Sequence, residues 1–326
     1  MSFTKKLFNT SLLLGGTLGA MAIYNRITES LAGELDSVLT GKEYRYPWKY
    51  GDMFYEVKGA REAKPLLLIH SFGPGASSYE WRKNVDVLAE HFHVYTLDLL
   101  GYGSSDHPVI DYDAELYTDL LYDFIREVIG DQRVIAVAHG MTCAYIIACA
   151  FRRPQLFERL VLISPPQDIL YEAQETSFNL VSAAFKAILR LPVIGQFIYN
   201  LLTSRRAIRS YYDKYGYHNL GLLTDELVEY IFTSAHQPNS HYAIASYLGD
   251  ALTLDVREPL ARLKVPALIV WGRESTLTPT EQAETFKQIN PNLETRILDK
   301  SRFHLQDEQA TSFNNLLREY ANAPVS

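Results

Sequence analysis

The amino-acid sequence predicts an α/β protein in which a doubly wound, mostly parallel sheet carries a helical insertion. Short apolar runs alternate with helical patterns over residues 65–166, which is typical of strands that cross over to parallel neighbours. The alternation stops near Pro165 and resumes at Pro266. Residues 167–256, between these points, show helical periodicity without a convincing strand, so we expect a helical cap over one end of the sheet.

The individual elements follow from local composition. Residues 44–48 and 53–57 are rich in aromatic and β-branched side chains and flank Gly51-Asp52, which predicts a hairpin. Further strands are predicted at 65–70, 93–98, 133–138, 160–164, 266–271 and 294–298, and helices at 78–90, 113–129, 140–151, from 279 onward and at 307–320. The predicted division is an N-terminal helix and linker (1–40), a core in two parts (41–166 and 257–326) and the cap (167–256).

Composition excludes several classes of function. Of the 326 residues, 47% are hydrophobic and 21% are charged, as in an ordinary globular protein, and the net charge is −7. An acidic chain is a poor partner for nucleic acid, because phosphates require a basic surface. Cys143 and Cys149 fall on different sides of one predicted helix and cannot easily form a disulfide. No cysteine or histidine group has metal-ligand spacing, so the sequence predicts neither a metal nor another cofactor.

The N-terminus is apolar. Residues 7–24 carry no charge and follow Lys5 and Lys6, although their Asn, Thr, Ser and Gly residues make a weak membrane span of near-minimal length. Three interpretations stay open. The first, which we favour, is a membrane anchor. The second is a signal peptide cleaved near Ala22 before export, because Ala20-Met21-Ala22 has a small-x-small pattern, and the third is a helix packed on its own domain.

The predicted cap carries a second signal for a membrane. Residues 176–212 contain five cations, several large apolar side chains and no Asp or Glu. In an acidic protein, such a stretch fits an anionic membrane surface. The competing interpretation is an apolar face that the cap buries over a pocket, with arginines on the rim.

Five motifs follow or precede the predicted strands in series: HSFG (70–73), DLLGYGSSD (98–106), VAHGMT (137–142), WGRESTLTP (271–279) and SRFHL (301–305). In this order and with these spacings, they resemble the α/β-hydrolase superfamily over roughly residues 44–320. The resemblance implies an α/β-hydrolase fold with a cap. It also places Ser71 and Phe72 in the loop that supplies the oxyanion hole, and His139 and Met141 on either side of the nucleophile position.

The three triad positions depart from the family. The nucleophile position holds Gly140, which has no side chain that can attack a substrate. The acid position holds Ser275, and the base position holds Arg302, whose guanidinium stays protonated at neutral pH. Losing the nucleophile of such a triad alone lowers the rate by on the order of a millionfold. The sequence therefore predicts that the triad chemistry has been lost and commits to no catalytic residue.

Residues near these positions are candidate substitutes. His304 lies two positions past Arg302, and Asp168 follows the sixth strand, where some relatives keep an alternative acid. Cys143 lies one turn into an apolar helix and is expected to be buried. We favour a structural role for each of them. His304 with Asp168 would still lack a nucleophile, although the pair would be able to position a water.

Gly140 and Arg302 together lead to a sharper hypothesis. The helix that begins at the nucleophile position offers free N–H groups and a partial positive charge, and Arg302 would add a fixed cation above the bare glycine. This combination favours a carboxylate or phosphate head group. The alternative is that Arg302 pairs with Asp299 or Asp307 at the surface.

Three functions remain open from the sequence. The favoured one is a non-catalytic, membrane-associated protein that binds a small apolar or anionic ligand, or a partner protein. The first alternative is an ester hydrolase or lyase with a non-standard site, and the second is a structural subunit of a membrane complex. An open apolar pocket would favour a binding protein or an enzyme, whereas a pocket filled by side chains would favour a scaffold.

Overall fold

The computed structural model of the chain describes residues 3–171 and 177–324, and of residues 3–14 and 177–180 only the backbone. An eight-stranded sheet forms the centre, with the strand order β1-β2-β4-β3-β5-β6-β7-β8. Its strands are β1 (Lys42–Trp48), β2 (Gly51–Lys58), β3 (Pro65–Ile69), β4 (His93–Leu97), β5 (Val134–His139), β6 (Phe157–Ile163), β7 (Ala267–Gly272) and β8 (Glu294–Leu298). Pairs β1–β2 and β2–β4 are antiparallel and the other five are parallel. The predicted fold class is confirmed.

The turn of the hairpin formed by β1 and β2 lies two residues earlier in the sequence than predicted. Gly51 is the Cα partner of Trp48, so the turn lies at Lys49 and Tyr50 rather than at Gly51-Asp52. Gly51 is required for a different reason. Its φ is +153°, and a Cβ there would lie 2.9 Å from the Cβ of Asp106. The glycine therefore accommodates the close approach of the loop that follows β4.

A long N-terminal helix precedes the sheet in sequence. Two layers of helices cover the two faces of the sheet. In chain order the helices are α1 (Phe3–Ala32), α2 (Val85–Leu88), α3 (Ala114–Phe124), α4 (Thr142–Arg152), α5 (Ser177–Leu189), α6 (Ile194–Leu202), α7 (Arg205–Tyr211), α8 (Asp225–Ala235), α9 (His241–Leu248), α10 (Arg257–Ala261), α11 (Gln282–Ile289), α12 (Leu305–Glu308) and α13 (Ala310–Asn322). Helices α3, α4 and α11 pack on one face of the sheet, and α2 and α13 pack on the other. Because both faces are covered, β3 and β5 are buried along their whole length.

Two predicted helices are interrupted. Residues 78–90 form a short 3₁₀ helix (Ser78–Trp81) and then α2, and residues 307–320 divide into α12 and α13 at Gln309. The first break lies at Asn84, whose buried Nδ2 donates to the carbonyl of Gln306 at 3.0 Å and to Oδ1 of Asn314 at 2.8 Å. This amide therefore joins the two interrupted segments across the same face of the sheet.

Between β6 and α10, the described residues form helices α5 to α9 and short helical turns, and we call this segment the cap. The C-terminal end of α1 is fastened to it. Asn25 donates to the carbonyl of Val193 at 2.9 Å and accepts from Asn200 at 3.0 Å, and the ring of Tyr24 meets Phe197 edge-on at 5.3 Å. Residues 15–20 of α1 are exposed.

Over the residues that the structure describes, no single helix has the length and apolar character needed to cross a bilayer. The pair Val181–Leu189 and Ile194–Leu202, bent by 105°, meets that criterion jointly by length and composition.

Candidate functional site

A cavity of about 350 Å³ lies between the cap and the loops that follow β3 and β8. Its walls are mainly aromatic and aliphatic, and five of the lining residues are tyrosines: Tyr79, Tyr211, Tyr212, Tyr217 and Tyr247. The polar part of the lining comes from Ser71, Ser77, Glu80, Arg82, His304 and Asp307. The cavity is open rather than filled by side chains, which favours a binding protein or an enzyme over a scaffold.

Gly140 lies at a sharp turn between β5 and α4. Its φ is +65°, and its N–H donates to the carbonyl of Ile163 at 2.8 Å. This is the strand–turn–helix geometry of a nucleophile elbow. A Cβ at this position would lie 3.1 Å from Cζ of Phe303 and 3.5 Å from the Cβ of Ser71. The structure therefore places a phenyl ring where a side chain from residue 140 would point.

Arg302 does not face Gly140. Its Nη1 donates to the carbonyls of Asp213 at 2.6 Å and Lys214 at 3.0 Å, both in the cap. The hypothesis of a cation above the glycine is therefore wrong, and the ring of Phe303 occupies the place that the family motif assigns to Arg302. The backbone explains the direction of the side chain, because the N–H of Arg302 donates to Glu308 at 2.6 Å and turns the residue toward the cap.

The alternative partners expected for Arg302 are also engaged elsewhere. Asp299 pairs with Arg273. Asp307 is buried and pairs with Arg82 and Lys83, both at 2.7 Å. Burial opposes ionisation of Asp307, but these two cations outweigh it and hold its pKa below the usual value. Neither carboxylate is available to Arg302.

Three other candidate residues, Ser275, Asp168 and Cys143, do not line the cavity. Ser275 is buried after β7, with its Oγ 3.0 Å from Oγ1 of Thr278. Asp168 is exposed in a 3₁₀ turn after β6, so it is not placed to act as an alternative acid. The thiol of Cys143 donates to the carbonyl of Ala138 at 3.2 Å, and burial raises its pKa far above the usual value. Cys143 is therefore an unreactive core residue.

The predicted oxyanion loop lines the cavity through Ser71 and Phe72. Within the described part of the chain, the N–H groups of Phe72 and Met141 donate no hydrogen bond. Met141 packs half-buried against the core, while the ring of Phe72 stacks on Tyr102 at 5.2 Å. These two backbone donors therefore remain available, although Gly140 beside Met141 offers no nucleophile.

Three groups that sequence reasoning did not bring together lie close to one another: Glu80 and His304, which line the cavity, and the buried His139. Nδ1 of His139 lies 3.2 Å and 3.3 Å from the two carboxylate oxygens of Glu80. Burial opposes ionisation of Glu80, but its interaction with His139 outweighs this effect and lowers the pKa of the carboxyl. Burial and the nearby His139 lower the pKa of His304 to about 3, so its ring is neutral at physiological pH.

A model of the α/β-hydrolase fold family matches residues 64–310. The chain belongs to this family. Epoxide hydrolase 4 of Mus musculus is 24% identical over 280 residues, which cover 82% of this chain and 76% of that protein. Solved structures share the fold, for example the following two. A meta-cleavage product hydrolase (CumD) from Pseudomonas fluorescens IP01 has a TM-score of 0.69 and 22% identity, with 86% of this chain and 97% of that chain covered. A membrane phospholipase A has a TM-score of 0.67 and 19% identity, with 98% and 100% covered.

In this α/β-hydrolase-fold protein, Glu80 was missed because its sequence context predicts a different role. Ser77 and Glu80 have the spacing of a capping box, in which the acid bonds back to the cap residue. Ser77 does cap the 3₁₀ helix, but Glu80 turns inward and accepts from the N–H and the hydroxyl of Ser71, both at 3.2 Å. The two histidines come from distant parts of the sequence, so the local spacing around Glu80 could not predict that they would be buried beside it.

Proposed function

We propose that this α/β-hydrolase-fold protein binds a small, largely apolar ligand in the cavity and does not hydrolyse esters through a nucleophile. The observation that carries the proposal is the pairing of Gly140 with the ring of Phe303 beside an open cavity of about 350 Å³. Ligand sites are typically apolar clefts of roughly this size or larger, with a few converging polar groups. The tyrosine-rich lining suits a ligand with a flat or acyl apolar body.

The described residues of the cavity offer no activated nucleophile. The hydroxyl of Ser71 donates to Glu80 at 3.2 Å, and that carboxylate is shared with His139. The pKa of Glu80 is lowered, so it is a weak base for activating the hydroxyl. The Cys143 thiol is buried in the core and bonded to a backbone carbonyl. These features support a binding role for the cavity.

An enzyme with a non-standard site is the second candidate. His304 is a neutral imidazole in the cavity wall, and its Nε2 has no hydrogen-bond partner among the described residues. Such a nitrogen is able to position a water or a substrate proton. An epoxide hydrolase and a meta-cleavage product hydrolase are among the similar proteins, which supports testing epoxides and meta-cleavage products as well as esters.

The test measures binding and turnover on the same preparations. A panel of aromatic and acyl compounds is titrated against intrinsic fluorescence, and the same panel as esters and epoxides is assayed for hydrolysis. Ala207, which lines the cavity, is replaced by Phe to fill it, and the exposed Ala187 is replaced by Phe as the matched control. We expect Ala207→Phe to weaken binding at least tenfold and Ala187→Phe to leave it unchanged, with no turnover above background.

Two results would change the assignment. Binding that is equal in both variants would locate the ligand outside the cavity. Turnover by the wild type that disappears in His304→Ala would establish the second candidate instead.

We also propose that α1 and the cap together hold the protein at a membrane surface. Exposed apolar side chains support this proposal on both elements: Leu18, Ile23, Ile27 and Leu31 on α1, and Val181, Ile188, Leu201 and Leu202 on the cap. The charge part of the sequence argument is weaker than expected. Lys186 and Arg190 pair with Asp111, Arg205 pairs with Glu229, and Arg209 pairs with Asp225. Apolar insertion rather than attraction to anionic lipid therefore drives the proposed contact.

A further inference from the structure

Beside the cavity lies a group of donor atoms that the proposed ligand binding does not explain. One carboxylate oxygen of Glu80 and one ring nitrogen each of His139 and His304 all lie within 4.8 Å of one another. They come from the 3₁₀ helix after β3, the end of β5 and the loop before α12. Two imidazoles and a carboxylate are a donor set that divalent transition metals prefer.

The tautomer of His139 is fixed by its surroundings. Nε2 lies 3.0 Å from the carbonyl oxygen of Phe303, which only accepts, so Nε2 carries the hydrogen. Nδ1 then presents its lone pair to the two oxygens of Glu80 at 3.2 Å and 3.3 Å. A lone pair that faces a carboxylate calls for a cation between the two groups, either a proton or a metal ion.

A hydrogen bond to a backbone carbonyl is also the usual outer-shell arrangement of a metal-ligating histidine. Glu80 is oriented in the same way, because the N–H and the hydroxyl of Ser71 bond to its Oε2 and leave Oε1 toward the histidine. Both prospective ligands are therefore held in place by neighbouring groups.

The separations of the donors fit a metal centre. Metal–nitrogen and metal–oxygen bonds of about 2.0–2.2 Å around a tetrahedral ion place neighbouring ligand atoms about 3.3 Å apart. The contacts of Nδ1 of His139 with Glu80, at 3.2 Å and 3.3 Å, already have this value. Since no separation exceeds 4.8 Å, His304 has to approach by at most about 1.5 Å to complete the set.

Two buried polar atoms next to this group lack a hydrogen-bond partner. Nε2 of His304 and Oε1 of Gln306 are buried without a hydrogen-bond partner in the described part of the chain. Nε2 of Gln306 lies 3.2 Å from Nδ1 of His139. A flip of the amide would place its oxygen at this position, where it is able to serve as a fourth donor atom.

We propose that Glu80, His139 and His304 bind one divalent transition-metal ion of the Zn²⁺ class, with an open coordination position toward the cavity. Asp307 does not compete for the ion, because Arg82 and Lys83 already neutralise it. With a single carboxylate among the ligands, the bound centre carries a net charge of about +1. It would therefore attract the anionic or polarised end of a ligand whose apolar body lies among the tyrosines.

The test uses the full chain without a histidine tag, stripped with a chelator and then titrated with Zn²⁺ by calorimetry and with Co²⁺ by visible absorption. We expect one ion per chain, with an absorption spectrum of four- or five-coordinate Co²⁺. Glu80→Gln and His304→Ala remove ligands directly and should each weaken binding by at least the roughly tenfold to hundredfold that outer-shell changes cause. His241→Ala is the matched control, because His241 is a buried histidine of the cap that lies outside this group.

Folding of each variant is checked by circular dichroism, and Zn²⁺ should raise the Tm of the wild type and of His241→Ala but not that of Glu80→Gln. Binding that is equally tight in Glu80→Gln would identify an adventitious surface ion and overturn the proposal, as would the absence of binding below about 100 μM. The ligand titrations are carried out on protein stripped with the same chelator, so failure of the metal site leaves the ligand-binding proposal standing.

Discussion

The contact between Gly140 and Phe303 is the feature on which the loss of triad chemistry depends, and Gly140→Ala tests it directly. A residue with a Cβ at a φ of +65° pays about 1–2 kcal/mol relative to a right-handed conformation. The new Cβ would lie 3.1 Å from Cζ of Phe303, whereas carbon atoms prefer about 3.5–4.0 Å. Overpacking of this kind costs about 1 kcal/mol or more.

The reduced entropy of the unfolded chain offsets about 0.4–1 kcal/mol of the cost of any Gly→Ala change. We therefore expect Gly140→Ala to lower the free energy of unfolding by about 1.5–2.5 kcal/mol. Gly33 is the matched control, because its φ is +70° and a Cβ added there would have no atom within 4 Å. Gly33→Ala should lower the free energy of unfolding by only about 0.5–1 kcal/mol, because the alanine has the same unfavourable positive φ but no close contact of its Cβ.

The assay is urea denaturation of four proteins that form a double-mutant cycle: the wild type, Gly140→Ala, Phe303→Leu and the double variant. Replacing the phenyl ring by the shorter leucine side chain should relieve the contact with the new Cβ at residue 140. The coupling free energy should therefore be about 1 kcal/mol in favour of the double variant. A Gly140→Ala cost equal to that of Gly33→Ala, together with no coupling to residue 303, would refute the placement of the ring over the glycine.

Three further predictions follow from the site, the histidines and the surface. The triple variant Gly140→Ser, Ser275→Asp, Phe303→His should gain esterase activity over the wild type, whereas the same variant with Arg302→His in place of Phe303→His should not, because Arg302 faces the cap; equal activities would contradict this geometry. Burial lowers the pKa values of His107 and His241 to about 4 and that of His304 to about 3. Below pH 6.5 the unfolded chain binds protons that the folded chain does not, so stability should fall by up to about 1.4 kcal/mol per pH unit for each histidine, and His241→Phe should flatten the denaturation profile; an unchanged slope would contradict the shift. Ile23→Asp on the exposed face of α1 should reduce co-sedimentation with neutral lipid vesicles, while Glu34→Asp should not; equal loss with both would argue against the apolar contact.

The fold was predictable because its signals are local in sequence. The turn at 98–106 and the strand before Gly140 each combine a buried apolar run with a glycine or polar turn, and their order along the chain fixes a parallel sheet. The elbow position was predictable for the same reason, since a single strand–turn–helix segment contains it.

The base position was not predictable to the residue. The loop at 301–305 keeps no glycine-histidine pair to anchor an alignment, so a slip of one position exchanges Arg302 for Phe303. Which of the two side chains faces Gly140 is decided by contacts far away in sequence, namely the cap carbonyls of Asp213 and Lys214. The sequence of the loop alone does not predict those contacts.

The polar groups of this loop and of α12 contact the cap. Arg302 bonds to two cap carbonyls, Asp307 accepts from the hydroxyl of Tyr217, and Glu308 accepts from the N–H groups of His218 at 2.7 Å and Asn219 at 2.9 Å. A loop that carries a working base has to leave its side chain free to exchange protons with the cavity.

Here Arg302 of the loop, together with Asp307 and Glu308 of α12, bonds to residues 213–219 of the cap instead. Holding the cap in one position favours a preformed cavity, because a ligand then does not have to order the cap when it binds. A preorganised cavity is the property that the proposed binding function requires, and the contacts of Arg302 with the cap therefore support that proposal.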